Sequence, residues 1–375
     1  MILINMISIT SGGGLQNSLS FLKRLSLRPD LLADVVVSCV DGGRVHDFCK
    51  EKDVRYVAFP AGRIGRIYFE LIGSYFVVKK YGVALVFSLF GPPPIGSFGV
   101  FSISGFAYSN IIQPEIPFWF FLPWHRRVIK KLKDLIRLKM SLRAERLIVE
   151  TEYLKERAES GVFVGKNVSV VRMQPSGTLN AGALPDPRLE RLKGNKILYL
   201  SGDHRNKRIH CLASVFGALA DHDDWKLITT LPESSGYLSE IKELFNEAGV
   251  PESIVNVGPV DPAEISGIIA SCDAMINVSL LESFSNNWVE SWFFQKPLIV
   301  TDSDWARASC GDAAVYIDVY DFDGAAKKIS DAICSDSMID ELNRNACSVL
   351  ESLYDRGDKN DQYFDIILSD YKRVR

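Results

Sequence analysis

The stretch LLESFSNNWVESW (280–292) sets two acids, Glu282 and Glu290, eight positions apart, with small polar residues, Phe284 and Trp288 between them. It follows the apolar run DAMINVS (273–279), which reads as a buried strand, so 279–285 is the loop at that strand's carboxyl end. Ser285, Asn286 and Asn287 are N-cap residue types and predict a helix starting there. Glu282 then lies in the loop and Glu290 about one turn inside the helix. On one continuous helix the two would stand about 80° apart; the break at Ser285 instead brings both to the mouth of a cleft. Free amides at a helix start favour an anion, most simply a phosphate. A carboxylate repels phosphate, so these acids are expected to accept hydrogen bonds from neutral hydroxyls. A nucleoside diphosphate sugar supplies both groups. The plain alternative is two surface glutamates near a helix start, a spacing that chance produces often; the position after a buried strand is what argues for a site.

Two further loops carry candidate chemistry. In SGDHRNKRIH (201–210), after the run KILYLSG (196–202), Arg205, Lys207 and Arg208 crowd a loop entering a helix. Cations at a strand's carboxyl end suit a diphosphate, lysine as a point charge and arginine as a fork; a solvated basic turn is the alternative. SGGGLQNS (11–18) is a glycine-rich strand-to-helix turn. Leu15, Gln16 and Asn17 follow the glycines, so G-x-G-x-x-G is not completed, and no Walker lysine appears. His204 and His210 are six apart with no cysteine cluster nearby, a chance pairing rather than a metal site.

These loops need elements to position them, and the chain supplies a βα rhythm. Strand candidates are MILINMISIT at the start, DVVVSCV (34–40), VRYVAFP (54–60), VALVFSLF (83–90) and RLIVE (146–150), with FGVFSIS (98–104) a further apolar stretch and the character changing after VSVVRMQ (168–174). After 176–195, rich in Pro, Gly and Asn and read as a linker, the rhythm restarts at 196–202. It continues with WKLITTL (225–231), SIVNVGPV (253–260), 273–279, PLIVTD (297–302) and AAVYID (313–318). Helices fall between, for instance over 15–27, 237–249 and 261–272. The expected architecture is α/β: a domain over 1–175, the linker, a second domain over 196–354, and a final helical segment, 355–375, packing back on the first. Both domains are expected as Rossmann-like, doubly wound parallel sheets facing across a cleft.

Composition sets bounds. A chain of 375 residues with 47% hydrophobic and 24% charged residues affords two cores and excludes wholesale disorder. A net charge of −3 and a pI of about 6.0 argue against a dedicated nucleic-acid binder. Seven dispersed cysteines without a C-x-x-C pair read as buried thiols in a reducing compartment. The start lacks a signal peptide's basic region and cleavage site. The apolar stretch 68–90 is interrupted by Glu70, Lys79 and Lys80, so no run spans a bilayer. The expected location is cytoplasmic, with peripheral contact at the inner face of the cytoplasmic membrane as an option.

Taken together, LLESF with a second Glu eight positions after its own, then PLIVTDSDWARASCGDAAVYID (297–318), resembles the retaining nucleotide-sugar glycosyltransferases of family 4, the group 1 family with the GT-B fold. The resemblance is good over about 196–330 and loose before it. It implies that Glu282 faces the donor sugar and reacting centre and that Glu290 binds the ribose. Lys207 with Arg205 or Arg208 would stabilise the departing diphosphate, the register between the two arginines staying open. It further implies donor or acceptor contacts at Gly13 and Gly14, and backbone contacts to the base at Gly258 and Val260 in NVGPV (256–260). Two departures stand out. Ser283-Phe284-Ser285 replaces the family's frequent Gly-Phe-Gly, and SISGFAY (102–108) lacks the histidine that touches the donor sugar in many relatives. The sugar is therefore not read by analogy. No metal or other cofactor is expected. The rival enzymes of similar architecture are a nucleotide-sugar epimerase and a sugar phosphorylase; the non-enzymatic rival is a glycan- or nucleotide-binding scaffold.

Residues 116–146 place Phe118, Trp119, Phe120, Phe121 and Trp124 before a helical run. Val128, Leu132 and Leu135 share a face there with Ile129, Ile136 and Met140 beside it, while Arg126, Arg127, Lys130, Lys131, Lys133, Arg137 and Lys139 stand against Asp134 alone. That pattern fits interfacial membrane binding. A domain helix with a solvated basic face and a core-facing aromatic loop fits it equally.

Overall fold

Every strand predicted from an apolar run is a strand in the computed structural model, which describes residues 1–219 and 224–375. The strands of the first half are β1 (Ile2–Asn5), β2 (Val35–Val40), β3 (Tyr56–Phe59), β4 (Leu85–Ser88), β5 (Phe101–Gly105), β6 (Arg146–Val149) and β7 (Asn167–Val170). They form one sheet in the order β3-β2-β1-β4-β5-β6-β7. The second half supplies β8 (Asn195–Tyr199), β9 (Trp225–Thr229), β10 (Ile254–Asn256), β11 (Ala274–Asn277), β12 (Leu298–Thr301) and β13 (Val315–Ile317), ordered β10-β9-β8-β11-β12-β13. All pairings are parallel; Ile2, for example, sits opposite both Val35 and Leu85. Helices cover both faces, so β1, β4, β11 and β12 are buried at every position and appear in sequence as unbroken apolar runs. In each sheet the strand order reverses once, between β1 and β4 and between β8 and β11. At such a switch point the loops at the carboxyl ends part and leave a crevice.

The first unit comprises Met1–Arg172 and Arg356–Arg375, the second Met173–Asp355. The stretch 176–195, expected as a linker, lies in the second unit. Asp186 caps the short helix Pro187–Glu190 through the Arg188 amide (2.8 Å), and Leu189 is fully buried. The Asp186 amide also donates to Ser271 Oγ at 2.6 Å. Of the cysteines, Cys334 and Cys347 are exposed and Cys211 is half-buried, so the thiols are not uniformly interior. Among the described residues no helix is long and apolar enough to cross a membrane.

The last helix, Lys359–Val374, completes the first unit. It buries Tyr363, Phe364, Ile367 and Tyr371, a helical stripe, and packs its aromatic rings against Phe21 and Phe87. Arg146, at the start of β6, grips the fully buried Asp370 with two parallel bonds of 2.6 and 3.0 Å. Arg146→Met would leave that buried carboxylate with only the exposed Arg373, 3.7 Å away, and is expected to cost about 3 kcal/mol in a denaturant melt, most of it regained when Asp370→Leu is added. A single-variant cost under about 1 kcal/mol would contradict this.

Candidate functional site

β8 and β11 lie side by side at the centre of the second sheet, and the loops leaving their carboxyl ends are stitched together. The Leu280 amide donates to the Asn206 carbonyl at 2.7 Å, and Asn287 Nδ2 donates to the Leu200 carbonyl at 2.5 Å. The Tyr199 hydroxyl, at the end of β8, donates to the Lys207 carbonyl at 2.5 Å and lies 3.4 Å from Ser279 Oγ. Burial raises its pKa well above the ordinary tyrosine value, so it stays a neutral donor. Asn277 ends β11 and holds the other loop: its Oδ1 accepts from the Ser279 amide (3.1 Å) and its Nδ2 donates to Ser285 Oγ (3.0 Å).

Within this frame the Lys207 ammonium bonds the Glu282 carboxylate. Both side chains are less than one-fifth exposed, at 18% and 16%, so their charges are only partly screened by water. Lys207 closes the 3₁₀ turn Arg205–Lys207. The next residue, Arg208, has φ +56°, a left-handed conformation that costs a non-glycine residue on the order of 1 kcal/mol. Its buried guanidinium lies 5.2 Å from the Tyr320 ring. Arg205 points elsewhere: it pairs with Glu240 on the helix Gly236–Glu247 and stands 5.5 Å from the Tyr237 ring. Of the two arginines whose register the sequence left open, Arg208 is thus the one without a carboxylate partner among the described residues.

The helix predicted after Ser285 runs Asn286–Phe293, with Ser285 as its N-cap and no side chain capping the first-turn amides. The Ser285 and Asn287 side chains make the ties above, so what these two residues offer a ligand is backbone N–H, joined by the N–H of Asn286. Glu290 sits at the start of the second turn, only 6% exposed, with Oε2 buried and without a hydrogen-bond partner. Burial pushes its carboxyl up to about 7. A buried acceptor in this state is suited to a ligand hydroxyl. Gly258, in the turn after β10, has φ +78°, which only glycine adopts freely, and Val260 follows it half-buried. β10 stands two strands from β8, roughly 10 Å across the sheet. Gly13 and Gly14 are placed in the first unit, in the opening turn of the helix Gly12–Leu25, which begins earlier than the expected Leu15. That turn leaves the carboxyl end of β1, at that unit's own switch point.

Tyr199 and Asn277 were not singled out from sequence, although each is a polar residue closing an otherwise apolar run. Asn5 and Asn256 repeat the device, accepting from the Ile7 amide (3.2 Å) and the Leu231 amide (2.9 Å). His210 is bonded to the Tyr237 hydroxyl at 2.8 Å. Among the described residues no three His, Cys, Asp or Glu side chains come together as a metal-binding group.

The segment 116–146 lies in the first unit. Its helix, Trp124–Ser141, buries Ser141 alone, leaving Val128, Ile129, Leu132, Leu135 and Ile136 exposed. Asp134 is taken up by Asn110, the Trp119 indole and Arg137, at 2.8, 2.7 and 2.9 Å.

Comparison with known proteins places this geometry in a class. Residues 194–335, which include all six strands of the second unit's sheet, match the family described as glycosyl transferases group 1. Similar solved structures include a glycosyltransferase from Rickettsia africae, with 16% identity, a TM-score of 0.72, and coverage of 100% of this chain and 98% of that one. Another is HepE from Anabaena in complex with UDP and glucose, at 14% identity, TM-score 0.67, and 98% and 99% coverage. A third is WaaG, a glycosyltransferase involved in lipopolysaccharide biosynthesis, at 13% identity, TM-score 0.69, and 98% and 99% coverage. Comparison with curated proteins finds no match. Residues 194–335 are thus similar to the group 1 glycosyl transferases, and the chain as a whole has the GT-B fold of these structures. This bears out the resemblance to the group 1 family and the expected GT-B fold.

Glu290 yields a test needing no substrate. Its folded-state pKa of about 7 exceeds the ordinary 4.5, so between these values the folded chain holds a proton that the unfolded chain has lost. Stability should therefore fall as pH rises from about 4.5 to 7 and stay lowered above that. Glu290→Gln should abolish this component and raise stability at pH 8 by roughly 2 kcal/mol. A loss of stability in that variant would contradict the reading.

Proposed function

We propose that the chain transfers a sugar from a nucleoside diphosphate sugar to a saccharide or lipid-linked saccharide, with retention of anomeric configuration as in family 4, during synthesis of a bacterial-type surface polysaccharide. The observation that carries this is the Lys207–Glu282 pair in the β8/β11 crevice, beside the uncapped first turn of Asn286–Phe293. Support for the donor class comes from the UDP and glucose held by the Anabaena structure, and for the pathway class from the lipopolysaccharide role of WaaG.

In this reading the diphosphate lies against Lys207, Arg208 and the amides of Asn286 and Asn287. Glu290 accepts from the ribose hydroxyls, Gly258 and Val260 border the base, and Glu282 faces the sugar. The bond from the anomeric carbon to the phosphate oxygen breaks, and negative charge grows on the diphosphate. Fixed cations and helix amides stabilise that charge more than they stabilise the intact donor, which is what lowers the barrier. The acceptor oxygen then bonds the anomeric carbon on the face the diphosphate left, and its proton passes to a diphosphate oxygen. Arg205, held by Glu240, acts at most by positioning the loop. The chain's own cations carry the charge that a divalent metal would otherwise carry, so activity is expected to survive a chelator. The basic segment 116–146 is proposed to rest on the inner face of the cytoplasmic membrane, where a lipid-linked acceptor would be met.

Lys207→Ala and Glu282→Gln are each expected to lower kcat by about 10²–10³ while the thermal melt stays cooperative. A screen against UDP, GDP, ADP and their sugars should raise the melting temperature for one nucleotide only. Normal biological function in both variants would identify a scaffold. Isomerised donor without an acceptor product, or transfer to phosphate, would identify an epimerase or a phosphorylase. For 116–146, changing Arg126, Arg127, Lys130 and Lys131 to Gln should release the protein from anionic vesicles at moderate salt; undiminished sedimentation would remove that segment from the proposal.

A further inference from the structure

One helical segment of the first unit presents its residues in reverse of the usual order. The chain runs as a helix over Gly62–Tyr68, a π turn over Phe69–Gly73 and a helix over Ser74–Tyr81. Its inward face is mostly small: Gly65, Gly73 and Ser74, with Phe69 and Val77. A Cβ on Gly65 would fall 1.8 Å from the Pro60 carbonyl oxygen, and one on Gly73 would fall 2.5 Å from the Phe59 ring, so the backbone lies tight on its neighbours. The buried positions 65, 69, 73 and 77 recur every four residues, longer than the 3.6 of an α-helix. The wider π turn takes up the excess and keeps all four on one side.

The outward face carries the bulk. Ile64, Ile67, Leu71, Ile72, Tyr75 and Phe76 are all exposed, Ile64 at 85% and Phe76 at 60%. The turn Ile95–Ser97 packs against the segment, with a Cβ on Gly96 falling 2.8 Å from the Tyr75 amide nitrogen. Just beyond it Phe98, 82% exposed, extends the apolar face. A helix resting on a protein core turns its large apolar residues inward. A contiguous exposed face of this kind marks a docking surface.

Charge on the same face selects the occupant. Arg63 and Arg66 stand at one end and Lys79 and Lys80 at the other, all exposed. The single acid of the segment, Glu70, is turned inward, with Oε2 buried and unpartnered and Oε1 3.9 Å from Arg66. The surface thus offers apolar side chains bounded by four cations and no exposed carboxylate. A second copy docking by the same face would set cation against cation with nothing to pair them. Past the helix Trp124–Ser141, the Arg143 guanidinium lies 5.3 Å from the Phe98 ring, which joins this face to that second cationic, apolar-faced element of the unit.

We infer that the outward face of 62–81, with Phe98, lies in the interfacial layer of an anionic lipid bilayer, its apolar side chains at the acyl boundary and its cations among the headgroups. This goes beyond the proposed function: it assigns a second membrane element, independent of the basic segment and of the transfer reaction.

The test uses the full chain and vesicles of phosphatidylcholine with and without phosphatidylglycerol. Ile64→Ser, Ile67→Ser, Leu71→Ser and Phe76→Ser combined should lower partitioning onto the anionic vesicles by about tenfold or more, leaving the melt and the nucleotide-induced shift unchanged. In an otherwise native chain, Phe76→Trp should add emission that acyl-brominated lipids quench. Equal partitioning by the serine variant, no quenching of the added tryptophan, or wild-type dimers that the serine changes dissolve would each overturn the inference. Loss of the nucleotide shift in wild type would bear on the transferase reading alone.

Discussion

Lys207 and Glu282 are 75 residues apart in the chain, and they meet because a parallel sheet makes neighbours of β8 and β11. An ion pair this little exposed helps only if its geometry is fixed beforehand; otherwise the cost of removing both charges from water offsets their attraction. The fixing is done by neutral groups. Tyr199 and Asn287 clamp one loop, Asn277 clamps the other, and a backbone bond from Leu280 to Asn206 joins them. In the proposed reading, positive charge held in place before the diphosphate arrives needs no reorganisation during the reaction. Glu290 shows the converse: a carboxyl buried without a partner lowers stability in the free protein, and in the proposed reading the ribose hydroxyls would satisfy it.

The first unit obeys different demands. Its sheet is closed off by the C-terminal helix through the Arg146–Asp370 pair, and from 62–81 its core takes Phe69 and Val77 while the larger share of the apolar side chains of 62–81 and 124–141 stays outside. Two helices in one unit that both leave large apolar side chains outside, with their cations beside them, form a surface whose character a net charge of −3 conceals. Averages over a chain blur such asymmetry, whereas burial residue by residue restores it.

What the sequence disclosed followed from how each element is buried. Strands covered on both faces leave unbroken apolar runs, and the helix start after Ser285 was visible in its cap residues. Harder to see was anything decided by one partner far along the chain. Arg205 and Arg208 are equivalent in a string of letters; Glu240 takes the first and a left-handed backbone turns the second. The stretch 176–195 has the composition of a linker, yet Asp186 and Leu189 fasten it to the second unit through Ser271 and the core. The reversed helix at 62–81 escaped notice because apolar content alone does not say which side faces out, and the π turn disturbs the periodicity that would have said so.

The most direct measurement is a crystal structure of the protein soaked with the nucleotide that gives the largest thermal shift. The diphosphate should lie within hydrogen-bond reach of Lys207 Nζ and the first-turn amides at Asn286 and Asn287, with the ribose hydroxyls on Glu290. A nucleotide bound away from the β8/β11 crevice, with Lys207 and Glu290 untouched, would contradict the role assigned to that crevice.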